Sequence, residues 1–104
     1  MRILQDHEGL AIRLTDERLA HILDHPEMTE MTTAIDETLL RPQRVVESFS
    51  DPGARLYYRF YFGTLVGNKY VCVVVMFSGD DAFVLTAYLT DRIKRGVTIW
   101  PKER

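Results

Sequence analysis

The sequence predicts an α+β fold: a short N-terminal strand, then two helices packed on one face of a four-stranded antiparallel sheet. Three observations carry this expectation. Apolar residues recur at helical spacing between Thr15 and Arg41. From Val45 to Thr90 the pattern changes to alternation and to one continuous β-branched run. Three turn signals, Asp51-Pro52-Gly53, Gly67-Asn68 and Ser78-Gly79-Asp80-Asp81, divide that second half into four strands joined by tight connections, which is a meander.

The elements follow in chain order. Leu10, Ile12 and Leu14 alternate with Ala11 and Arg13, as a short strand with one buried face requires. Thr15 has N-cap chemistry, and Asp16 and Glu17 place negative charge at the positive end of the helix that begins there. Leu19, Ile22 and Leu23 form its apolar side, and His25-Pro26 ends it, because the residue before a proline resists helical angles. Pro26 suits the first position of a second helix, striped by Met28, Met31, Ile35 and Leu39 and stopped at Arg41-Pro42. The methionines are core filler by this spacing. In the second half, residues 70–77 are apolar throughout and fit a central strand buried on both sides. The basic tail, residues 91–104, carries Trp100, which is expected to fold back onto the sheet.

With 104 residues, 46% of them apolar, the chain has enough core for one domain. Its opening residues run into charges at once, so no signal peptide is expected, and no apolar run approaches the ~18 residues of a membrane span. Cys72 is the single cysteine and lies between valines, which reads as a buried reduced thiol and a cytoplasmic setting. The net charge of −2 conceals a polarity. Residues 1–40 hold three basic against nine acidic groups, residues 41–90 five against four, and residues 91–104 five against two. An overall acidic chain of this kind can still present a basic patch.

Alternation along the 55–62 strand puts Leu56, Tyr58, Phe60 and Phe62 on one face and Arg55, Tyr57, Arg59 and Tyr61 on the other. The last strand separates Phe83, Leu85, Ala87 and Leu89 from Thr86, Tyr88 and Thr90. The greasy face is expected to lie under the helices, and the guanidinium, phenol and hydroxyl face to stay open. Arg55 and Arg59 could each hold two phosphate oxygens, and Tyr57, Tyr61 and Tyr88 could stack on unpaired bases. The same residues also suit ordinary cross-strand pairing on a half-exposed sheet. His21 and His25 stand four apart and would share a helix face, with Arg18 one turn earlier. Three readings of the pair stay open: a metal pair, which lacks an evident third ligand; structural histidines; or acid/base groups. No cofactor is expected: no glycine-rich phosphate loop or paired-cysteine motif is present, and the strands hold almost none of the convergent carboxylates that a metal-dependent nuclease would want; no Ser-His-Asp order is present either.

Several strings together carry a resemblance: Leu14-Thr15-Asp16-Glu17-Arg18, His21-Ile22, His25-Pro26-Glu27-Met28, Leu39-Leu40-Arg41-Pro42, Tyr57-Tyr58-Arg59, the 70–75 run and Leu85-Thr86-Ala87-Tyr88. In these the chain resembles a small uncharacterised bacterial and phage family of the barnase–EndoU–colicin–RelE-like (BECR) nuclease superfamily. The resemblance covers most of residues 10–100 and implies a toxin-like endoribonuclease that needs no metal. The ribose 2′-hydroxyl would attack the adjacent phosphate and expel the 5′-oxygen of the next nucleotide, leaving a cyclic phosphate and a free 5′-hydroxyl. On that resemblance His25 or His21 would supply acid and base, and Arg59 would hold the scissile phosphate. Thr86 and Tyr88 would orient that phosphate, and Arg18 and Lys94 would add positive charge. The partners implied are RNA and an antitoxin-like protein covering the sheet, with no membrane. The alternative is a non-catalytic RNA- or protein-binding module that keeps the fold.

Overall fold

Thr15 does cap the first helix. Its side-chain oxygen accepts from the Arg18 N–H at 3.1 Å, and helix α1 runs Asp16–Leu23 with Ile22 fully buried. A computed structural model describes residues 1–102 of the chain. Strands β1 (Arg2–Gln5) and β2 (Ala11–Leu14) precede this helix. A single 3₁₀ turn over Pro26–Met28 follows, then α2 (Thr32–Leu40), and the rest is β3 (Arg44–Ser48), β4 (Ala54–Thr64), β5 (Gly67–Ser78), β6 (Asp81–Thr90) and β7 (Gly96–Trp100).

The fold is α+β, with one seven-stranded mixed sheet in the order β1-β2-β6-β5-β4-β3-β7. The expected meander is its centre: β3, β4, β5 and β6 pair antiparallel in sequence order. The expected count of four strands is corrected at both edges. Strand β2 pairs parallel with β6 and β1 pairs antiparallel with β2, while β7 pairs antiparallel with β3. Trp100 thus returns to the sheet, opposite Val45. The tail expectation also covers residues 103–104, which lie outside the described residues. The second helix is corrected too. It does not run on from Pro26, because Met31 leaves helical geometry (φ −104°, ψ 12°) and α2 starts afresh at Thr32. The kink lets Met28, Met31 and Ile35 all reach the core.

The largest correction concerns which sheet face the helices cover. They lie over Tyr57, Val73, Val75, Ala82, Val84 and Ala87. The face carrying Arg55, Tyr57, Arg59 and Tyr61, expected to be open, is therefore the covered one. Two physical reasons account for it. The neighbouring strands present alanine and valine on this side, a low surface onto which helices pack closely. Three of the four large residues find polar partners on this side, and the Arg55 guanidinium lies over the Phe77 ring. Tyr57 is fully buried and donates to Asp6 Oδ2 at 2.7 Å, Tyr61 donates to Glu37 Oε1 at 2.5 Å, and Arg59 donates to the Arg41 carbonyl at 2.8 Å.

A bulge in β6 supplies the second half of the rearrangement. Val74 faces Thr86 and Val75 faces Val84, so Leu85 is the extra residue. Phe83 and Leu89, expected on one side, consequently lie on opposite sides of the sheet. On the uncovered face the rows read Thr86–Val74–Leu56–Val46, then Tyr88–Cys72–Tyr58–Arg44, then Thr90–Tyr70–Phe60.

Candidate functional site

Strands β6 and β7 run parallel at separated positions in the sheet, so the chain must cross the sheet to join them. Residues 91–95 make that crossing as a strap on the uncovered face. Ile93 packs onto the cluster of Val46, Leu56, Tyr58 and Cys72, and the Lys94 N–H donates to the Tyr58 hydroxyl at 3.1 Å. Beside the strap is a groove of about 400 Å³. Its floor is apolar, from Val46, Leu56 and Val74, and Lys94 and Arg95 stand along one side. Thr86 and Tyr88 bring hydroxyls from β6, while Ser48 at the end of β3 and Ser50 in the β3–β4 connection bring two more. Those serine oxygens are 3.1 Å apart, and Asp51 at the end of the groove caps its own turn by accepting from Gly53 N–H at 3.2 Å. Phe49 projects at the mouth, 69% exposed.

Beneath the strap, burial pushes the Cys72 thiol up to about 11. Burial likewise raises Tyr58 and Tyr88 above the ordinary tyrosine range, with the neighbouring Cys72 adding to both. Near neutral pH these groups are neutral, so Tyr88 offers a hydrogen-bond donor and not a base. Lys94 and Arg95 supply positive charge to the groove and enter no ion pair among the described residues. The arrangement can hold an anionic group with an apolar or planar neighbour.

The residues singled out from sequence are divided among three places. Thr86, Tyr88 and Lys94 come together in the groove. Thr90, one row further along the same face, bonds into the start of the strap by accepting from Arg92 N–H at 3.3 Å. Arg55, Tyr57, Arg59 and Tyr61 lie on the helix side. Arg55 stacks over Phe77 at 4.4 Å, and Arg59 lies 3.6 Å from Glu37 as well as bonding Arg41. Tyr57, fully buried, is closed to any base. His21 and His25 are exposed on and just after α1, their rings 6.2 Å apart, and His25 faces Glu27 at 3.9 Å. Arg18 is half-buried on the same helix. No hydrogen bond, ion pair or ring contact joins either histidine to Arg59 or to the groove among the described residues.

Arg95, Ser48 and Ser50 escaped the sequence reading. Arg95 acquires its place only because the strap crosses the sheet, which depends on β7 pairing with β3. The only signal near the serines was the Asp51-Pro52-Gly53 turn that follows them, which says nothing of a groove. His7 was also passed over. Its ring packs 5.1 Å from Trp100 and 6.1 Å from Tyr57, and with Asp6 and Glu8 it forms the one group of potential metal ligands found among the described residues. The Asp6 carboxylate is already committed, accepting from Glu8 N–H, Leu10 N–H and Tyr57 Oη, so the group is explained as the structural turn joining β1 to β2. Comparison of the chain with protein-family models, with curated proteins and with solved structures returned no match.

Proposed function

We propose that the chain is an RNA-binding domain whose site is the groove and strap on the uncovered face of the sheet. The observation that carries the reading is the coincidence of Lys94, Arg95, Thr86 and Tyr88 around one groove of about 400 Å³. Two cations attract a phosphate, hydroxyls orient it, and apolar floor and Phe49 suit a base or ribose beside it. The charge polarity along the sequence supports this, since the strap belongs to the most basic segment of an acidic chain.

A second reading, a metal-independent endoribonuclease, is favoured by one observation: three residues that the BECR resemblance marks, Thr86, Tyr88 and Lys94, line the same groove. The acid/base chemistry would then have to arise there and not from His21 or His25, which are exposed elsewhere and make no hydrogen bond, ion pair or ring contact with it. One experiment addresses both readings. Purified protein is incubated with labelled mixed-sequence RNA in EDTA, and retardation and cleavage are read on parallel gels. Binding that weakens about tenfold or more in Lys94→Gln/Arg95→Gln, without cleavage, is the expected result; loss of charge-assisted phosphate contacts has this magnitude. Cleavage that persists in His21→Ala/His25→Ala and disappears in Lys94→Gln would promote the nuclease. Absence of binding and cleavage alike would overturn both.

A further inference from the structure

The uncovered face has a second feature that the groove does not use. At the β4–β5 hairpin, Phe60 packs edge-on against Phe62 with centroids 5.1 Å apart and against Tyr70 at 4.9 Å. Phe62 ends this ladder and is 81% exposed, the most exposed of the large apolar side chains. A ring costs free energy in water, and beyond its edge contact with Phe60 this ring is left to solvent. The ladder belongs to the same face as the groove: Phe60 pairs with Tyr70, which pairs with Thr90, two residues beyond Tyr88.

The spacing joins the two features. From Leu56 in the groove floor to Phe60 is four residues along β4, or about 13 Å at the usual rise of a strand. The cationic strap crosses between them, with Lys94 fixed over Tyr58. Arg44 adds a third cation in the Tyr58 row and is exposed. A polyanion leaving the groove along this face therefore passes over positive charge and arrives at an exposed ring.

We propose that Phe62, backed by Phe60 and Tyr70, is a base-stacking subsite for single-stranded RNA whose backbone lies on Lys94, Arg95 and Arg44. The inference rests on the RNA-binding reading and narrows it to strands with unpaired bases. A duplex keeps its bases stacked on one another and offers no face to Phe62.

The test uses fluorescence anisotropy with a labelled single-stranded RNA and the same sequence as a duplex, over a series of salt concentrations. Wild type is expected to prefer the single strand. Phe62→Leu keeps an apolar side chain and removes the ring; Phe62→Ala removes both. Both variants are expected to weaken single-strand binding about tenfold or more, the effect of losing one stacked base. The slope of affinity against salt should remain that of wild type, because no phosphate contact is lost. Circular dichroism and thermal melting of both variants are expected to match wild type, since the position is exposed. Unchanged single-strand affinity in both variants, with RNA still bound, would overturn the stacking subsite and leave the groove reading in place. No RNA binding by wild type would overturn both.

Discussion

Tyr57 and Tyr58 are adjacent, both fully buried, and on opposite faces of the sheet. One donates to Asp6, and the other accepts from the strap at Lys94. Their chemistry was legible as residue types; their partners were not, because each comes from a segment distant in sequence. The buried phenols make a prediction about pH. Burial, with help from Glu37, pushes Tyr61 up to about 12, and burial raises Tyr57, Tyr58 and Tyr88 as well. Unfolded tyrosines ionise near pH ~10, so the folded values are the higher ones. Their stabilising effect is then complete below pH ~10 and is lost as pH rises through the folded values. Denaturation midpoints measured in urea should fall from pH ~10 upwards, with tyrosine absorbance of the folded protein lagging that of the unfolded chain. Tyrosines that titrate together near ~10 in the folded protein would contradict the buried arrangement.

At the level of elements, the sequence was most readable where the signal was local. The Thr15 cap, the break before Pro26, the Asp51-Pro52-Gly53 turn and the four central strands all depend on neighbours within a few residues. Gly67, at φ +98°, and Gly79, at φ +59°, serve turns whose backbone other residues rarely adopt. The outer strands were missed for the opposite reason. Strand β1 has four residues and β7 five, and each takes its identity from a partner strand far along the chain. The assignment of faces failed because both sides of β4 carry aromatics, so alternation defines two faces without saying which the helices choose. The Leu85 bulge then reverses the phase within β6. Strand β7 depends on one close approach. A Cβ at Gly96 would collide with the Glu47 carbonyl and Val46 on β3. Gly96→Ala should therefore loosen the β3–β7 pairing and the strap that β7 anchors. The expected outcome is faster hydrogen exchange across residues 45–48 and 96–100, with β5 protection largely retained. Unchanged exchange in β7 would contradict the register.

Across the whole molecule, the sheet separates two environments. Helices and their partners fill one side, and the other holds a strap, a groove and an aromatic hairpin end. Among the described residues no helix is long and apolar enough to cross a membrane. The sequence reading had Thr86, Tyr88 and Lys94 among its candidates and the structure gathers them. It also had Arg55 and Arg59, which instead brace the helix side through Phe77, Glu37 and the end of α2. That division allows a direct test of the central claim, that the uncovered face binds RNA. Affinity for single-stranded RNA would be titrated at several salt concentrations for wild type, for Lys94→Gln/Arg95→Gln and for Arg55→Gln/Arg59→Gln, each verified as folded at the working temperature. The account predicts that the strap variant loses affinity and shows a shallower salt dependence, while the helix-side variant binds as wild type does. The reverse pattern, with affinity lost only when Arg55 and Arg59 are changed, would contradict it.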